Sequence, residues 1–139
     1  MTTDQSNSNN QKTSNGMEMK IELIPIPVTD VDRAKTFYVE KVGFHADHDH
    51  KVSDNLRFVQ LTPPGSACSI VLGTGITTMK PGSVQAYQMV VKDARQAREE
   101  LLSRGVEVSE VDEQPWGVFV YFKDPDGNGW SLQQIVPQK

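Results

Sequence analysis

The chain has one cysteine, Cys68, among 139 residues, so no disulfide within the chain can hold its fold, and no Cys/His set has the spacing of a structural zinc site. Cys68 reads as a small buried residue in a chain compatible with a reducing compartment. Excess positive charge is also missing. With 14 Lys and Arg against 18 Asp and Glu, a net charge of −4 and a pI near 5.3, the molecule lacks the basic field that displaces counterions from nucleic acid, and no nucleic-acid partner is expected. No run approaches the ~20 consecutive apolar residues that span a bilayer, and the first residues lack the apolar stretch of a secretory signal. No membrane partner is therefore expected, and the expected location is cytoplasmic. No Ser/His/Asp order, phosphate-binding glycine loop or paired carboxylates stand out.

What is present fits one globular domain, at 37% hydrophobic and 23% charged residues. Residues 1–18, rich in Asn, Gln, Ser and Thr, read as a disordered polar tail ahead of a single domain over 19–139. Within that domain the chain repeats itself. Val28-Thr29-Asp30 and Val91-Lys92-Asp93 each close an apolar stretch, Ile21 to Val28 and Val84 to Val91, that reads as a strand. Pro25 and Pro27 place the first of these at an edge or bulge. Each aspartate then precedes helical spacing, with Ala34, Phe37, Tyr38 and Val42 in one copy and Ala94, Ala97 and Leu101 in the other. Asp30 and Asp93 are expected N-caps, and Gly43 and Gly105 stand where a helix ends on a left-handed residue.

Three strand-like segments follow each helix: Phe44 to Val52, Leu56 to Thr62 and Cys68 to Leu72, then Val106 to Val111, Val118 to Lys123 and Trp130 to Ile135. Pro63-Pro64-Gly65 and Asp124 to Gly129 supply the reversals before the last strand of each half. The pattern is βαβββ twice, over about 20–75 and 83–136, an α+β architecture with helices on one sheet face. In Val118 to Phe122 apolar residues fall on both parities, so the face away from the helices also needs cover. A sheet curving over a small-molecule cavity and a dimer interface are the two ways to provide it.

V-T-D-V-D-R-A-K-T-F-Y, the Gly43-Phe44 pair and F-K-D-P-D-G-N-G-W, in that order and spacing, resemble the vicinal oxygen chelate superfamily, the glyoxalase/bleomycin-resistance/dioxygenase group, from about Lys20 onward. The resemblance implies two tandem βαβββ modules forming a curved mixed sheet around a cavity, and a homodimer with each cavity at or near the subunit interface. It also implies metal-ligand positions on the first and last strands of each half. Those positions fall here on Leu23, Val71, Ala86 and Ser131. Three of these side chains carry no nitrogen or oxygen donor, so no metal and no cofactor is expected, and the usual metal-dependent chemistry is disfavoured.

Other residues are candidates for ligand contact. In His45 to His50 strict alternation puts His48 and His50 on one face and His45, Asp47 and Asp49 on the other. The two imidazoles read either as the start of a nonstandard metal site, as ligand contacts, or as part of a polar exposed strand. Arg57 and Gln60 face opposite ways; Arg57 suits either a carboxylate or phosphate ligand or a surface salt bridge. Ser69, Gln88 and Gln133 share parity with the implied ligand positions, as does Ser131 itself, and would orient a neutral or aromatic ligand. Trp116, Phe119 and Tyr121 add rings able to stack on it, with ordinary packing the other reading for Trp116, whereas Trp130 belongs by parity to the core. Glu107, Glu110, Asp112 and Glu113 read as a solvated acidic edge. The function expected is binding, and possible sequestration or resistance, of a small hydrophobic or aromatic molecule in a metal-free cavity. The alternative is a glyoxalase-like lyase or isomerase, or a dioxygenase-like enzyme, metal-free or with a metal at His48 and His50.

Overall fold

A short carboxylate ahead of each helix takes up a first-turn amide that the helix cannot bond internally. In the computed structural model of the chain, which describes residues 16–136, Asp30 accepts from Arg33 N and Asp93 from Gln96 N. They open α1 (Val31–Thr36) and α2 (Ala94–Ser103). Beyond Thr36 the chain continues through Phe37–Val42 in wider π-type turns, with Gly43 N bonded to Tyr38 O five residues back. It stops at Gly43, whose φ of 102° lies in the left-handed region that glycine enters without steric cost. The polar tail expected over residues 1–18 lies outside the described residues except for the exposed Gly16, Met17 and Glu18.

Four strands accompany each helix. In the first half β1 (Leu23–Pro25), β2 (His45–Ser53), β3 (Leu56–Thr62) and β4 (Ser69–Thr74) lie in the order β1-β4-β3-β2. The second half repeats this with β5 (Tyr87–Val90), β6 (Asp112–Gln114), β7 (Gly117–Lys123) and β8 (Gly129–Ile135), ordered β5-β8-β7-β6. Only β1–β4 and β5–β8 are parallel, joining the first and last strand of each half as a βαβββ unit requires. The α+β class and the tandem modules follow, with the strands in two four-stranded mixed sheets.

Two segments depart from expectation. Prolines limit the opening strand of the first half to Leu23–Pro25, because neither Pro25 nor Pro27 has an amide to donate. Val106 to Val111 forms no strand; it touches the sheet through a bridge between Val108 and Phe122, and the edge strand comes later, at Asp112–Gln114. One backbone bond, Ser109 N to Tyr121 O at 2.9 Å, remains there, and side chains supply the rest. Arg98 Nε donates to Ser109 O at 2.7 Å, and Ser109 Oγ accepts from Tyr121 N at 2.9 Å.

The helix-facing sides of both sheets share one core. Val59, Leu61, Ile70 and Leu72 of the first half meet Val120, Phe122, Trp130 and Leu132 of the second around Tyr38 and Leu101. The seam between the halves is polar at one point. Tyr38 Oη donates to Asp124 Oδ2 at 2.8 Å and accepts from Trp130 Nε1 at 2.9 Å. Asn128 Nδ2 donates to that same carboxylate oxygen and to Pro27 O across the seam. The D-P-D-G-N turn thereby clamps the modules through its two buried ends, Asp124 and Asn128. With the core faces turned together, each sheet keeps its other face for something else.

Candidate functional site

On the first sheet, cross-strand register sets which side chains share the outer face. His48 is opposite Gln60 and His50 opposite Phe58, while Gln60 is opposite Val71 on β4. A bulge between Ala46 and His48 breaks the alternation expected for this strand. His45 consequently lies opposite Thr62, and Asp47 accepts from the Thr62 hydroxyl, on the face that alternation assigned only to His48 and His50. Ser69 Oγ lies 2.6 Å from Thr62 Oγ1, and Gln60 Nε2 donates to Ser69 Oγ at 3.3 Å. His48 and His50 stack, with ring centroids 5.9 Å apart and planes 22° apart.

Arg57 is on the other side. Its guanidinium donates to both oxygens of Asp49, at 3.0 and 2.8 Å, and to Asp32 on α1 at 2.9 Å, while Lys35 adds a contact to Asp49 at 2.9 Å. These donors hold the Asp49 carboxyl far below the usual carboxylate range. Every nitrogen of the Arg57 fork is engaged in tying α1 to the sheet. It therefore stands apart from the residues that the outer face brings together.

The second sheet gathers most of the remaining candidates. Gln88, Ser131 and Tyr121 occupy one register row across β5, β8 and β7, and Gln133, Phe119 and Asp112 the next row on the same face. Gln133 Nε2 donates to Trp116 O at 3.2 Å, and Gln133 Oε1 accepts from Gln88 Nε2 at 2.7 Å. Tyr121 Oη donates to Asp112 Oδ2 at 2.6 Å, with Gln114 Nε2 on the other carboxylate oxygen at 2.8 Å. The two donors hold Asp112 below its ordinary pKa, and the carboxylate in turn raises that of the Tyr121 phenol. The Phe119 and Tyr121 rings stack at 6.2 Å and 11°, and Trp116 stands 58% exposed beside them. Trp130 points the other way into the core, as its parity requires.

Gln88, Asp112, Gln114, Trp116, Phe119, Tyr121 and Ser131 line an open recess of about 440 Å³. A broader depression of about 910 Å³ runs from Tyr121 and Ser131 past Ala86 toward Lys123. Neither contains a residue of β2, β3 or β4, so the candidates sort into two sets on two separate faces. A cleft of about 620 Å³ between the halves, beside β5 and α2, holds only Gln88 of the sequence candidates.

A family model, the Glyoxalase/Bleomycin resistance protein/Dioxygenase superfamily, matches residues 20–132, across both modules and both faces. The chain belongs to this superfamily. A Bacillus subtilis (strain 168) relative, YetH, is 32% identical over 122 residues, covering 85% of this chain and all of YetH. Among solved structures, TnmS3, an antibiotic binding protein from Streptomyces sp. CB03234, is similar with a TM-score of 0.80 and 35% identity, covering 88% of this chain and 100% of that one. A glyoxalase/bleomycin resistance protein from the same Streptomyces strain has a TM-score of 0.74 and 37% identity, covering 83% and 100%.

The superfamily's metal positions do not fit a divalent cation in this member. Leu23, Val71 and Ala86 carry no donor atom, and Ser131 offers one hydroxyl, 7% exposed. Among the described residues no three His, Cys, Asp or Glu side chains, His48 and His50 included, are placed to hold a metal ion. Sequence reasoning missed Asp112, Thr62 and Asp47 as members of these faces. Asp112 was hidden by the misplaced edge strand, and Asp47 by the bulge.

Proposed function

We propose that this superfamily member binds a small hydrophobic or aromatic molecule without a metal ion, and acts by sequestering it, as a resistance or storage protein in the cytoplasm. One observation carries the reading. The outer face of the second sheet sets three aromatic rings, Trp116, Phe119 and Tyr121, beside hydrogen-bonded amides and a carboxylate, where the one implied metal position, Ser131, offers only a hydroxyl. Rings offer stacking area, and the fixed polar groups offer orientation. The likeness to TnmS3, an antibiotic binding protein, supports it.

A second copy of the chain completes the site in this proposal. Trp116, Tyr121, Val90 and Ile135 are 58%, 38%, 62% and 59% exposed on the second sheet's outer face, a larger apolar share than water favours. A homodimer that apposes this face to the first sheet's outer face would cover both and bring Gln60, Ser69, His48 and His50 to the same ligand. Calorimetric titration of a panel of planar aromatic antibiotics, with chelator and again with added divalent cation, tests the binding reading. Binding of the same strength in both conditions is expected. Absence of heat across the panel, or binding only when metal is added, contradicts it.

A further inference from the structure

We infer that the recess on the second sheet is a hydrogen-bond acceptor surface, selecting planar aromatic ligands that carry hydroxyl or amino donors over alkylated or carboxylated counterparts. The inference rests on the binding proposed above and names its ligand class. It comes from the direction in which the hydrogen bonds run. Each chain of bonds begins at a group that can only accept, which fixes the sense of every later bond.

Trp116 O is a carbonyl, so Gln133 must turn its NH2 toward it and present Oε1 elsewhere. Gln88 answers that oxygen with its own NH2. The free carbonyl oxygen of Gln88 is left at the recess. Asp112 is ionised and accepts from both Tyr121 Oη and Gln114 Nε2. The Tyr121 proton is consumed in that bond, leaving phenolic lone pairs outward, and Asp112 keeps lone pairs and a negative charge. No salt bridge among the described residues neutralises it. Lys123, on the same strand, lies in the adjoining depression and not in this recess.

The first sheet runs the same way. Asp47 can only accept, so the single proton of Thr62 goes to it. Ser69 then donates to Thr62, and Gln60 donates its NH2 to Ser69. Gln60 is left with its carbonyl oxygen unshared, as Gln88 is on the other sheet. At the recess itself Gln88 and Gln114 each keep one further N–H, and the Ser131 hydroxyl and the Trp116 indole N–H can donate, but the Asp112 carboxylate, the Tyr121 phenol oxygen and the Gln88 and Gln114 amide oxygens tip the balance toward accepting. A ligand oxygen with no proton, or a ligand carboxylate, meets unpaired acceptors and a like charge there. A hydroxyl or amine meets partners. Unmade bonds of this kind weigh more than a missing methyl contact in setting selectivity.

The test uses three probes of one shape: 2,7-dihydroxynaphthalene, 2,7-dimethoxynaphthalene and naphthalene-2,7-dicarboxylate. Each is titrated to millimolar concentration against 15N-labelled protein, following the amides of β7 and β8. The dihydroxy probe is expected to bind about tenfold more tightly than the dimethoxy one, and the dicarboxylate to be weakest. Asp112→Asn, nearly the same shape without the charge, is expected to weaken the dihydroxy probe alone; a merely structural role for Asp112 would weaken both. Equal binding of the dihydroxy and dimethoxy probes, or preference for the dicarboxylate, overturns the acceptor surface while leaving an aromatic site standing. If no probe shifts these amides, the aromatic reading fails, and the inference with it.

Discussion

Tyr38 shows how much of this molecule rests on single polar atoms. Its ring packs against Phe37, Phe44 and Trp130, while its hydroxyl sits between Trp130 and Asp124 in the buried seam. Burial, and then the Asp124 charge, push its phenol far above the ordinary value of 10. A raised phenol favours the folded state while it stays neutral. That stability is fully present below about pH 10 and is lost as pH rises beyond it. Tyr38→Phe leaves the Asp124 carboxylate and the Trp130 N–H short of a partner, and is expected to cost about 1–3 kcal/mol in urea denaturation. It should also flatten the loss of stability above pH 10. Arg57 makes the contrasting case. Arg57→Leu leaves the partly exposed Asp49 with one lysine, and a loss of about 0.5–1 kcal/mol is expected, with ligand affinity unchanged because Arg57 is outside both proposed binding faces. The Asp49 contribution has the opposite pH sign: it is present above about pH 4 and disappears as pH falls through the depressed value.

At the scale of elements, what was legible in the sequence is what local chemistry decides. Asp30, Asp93 and Gly43 announce helix ends because caps and left-handed residues are read one position at a time. Strand existence was also legible, since Leu56–Thr62 and Gly117–Lys123 are apolar and bounded by turn residues. Alternation failed where the backbone takes an extra residue. The bulge after Ala46 moves His45 and Asp47 to the outer face, and nothing in the local residue types marks it. The apolar spacing of Val106, Val108 and Val111 suggested a strand, yet Val106 is buried from a loop, and Arg98 takes up the Ser109 carbonyl. Long-range partners, invisible along the chain, made that choice. Caps also give a clean check at this scale: Asp93→Ala is expected to cost about 1 kcal/mol, measured by thermal unfolding, with the recess unaffected.

For the whole molecule, the deciding feature is that the two sheets turn one face each to a shared core and leave their other faces, polar with exposed aromatic and aliphatic side chains, outward. The sequence disclosed the duplication and many of the side chains of both faces; it did not disclose that one chain keeps those faces apart, which depends on long-range contacts such as those of Tyr38, Asp124 and Asn128 at the seam. Apposition by a second copy is the proposed remedy. Light scattering at micromolar concentration is expected to give twice the mass of one chain, and a mass of one chain would remove the composite cavity from the account. The central claim, that the aromatic face of the second sheet holds the ligand, has a built-in reporter. Trp116 is 58% exposed at the recess and Trp130 is 3% exposed in the core. Tryptophan emission should therefore be followed while a planar aromatic antibiotic is titrated, in chelator, into the unmodified protein and the Trp116→Phe variant. A saturable change that vanishes in the variant is the result predicted here; emission unchanged in the unmodified protein, or a change that survives intact in Trp116→Phe, would contradict it.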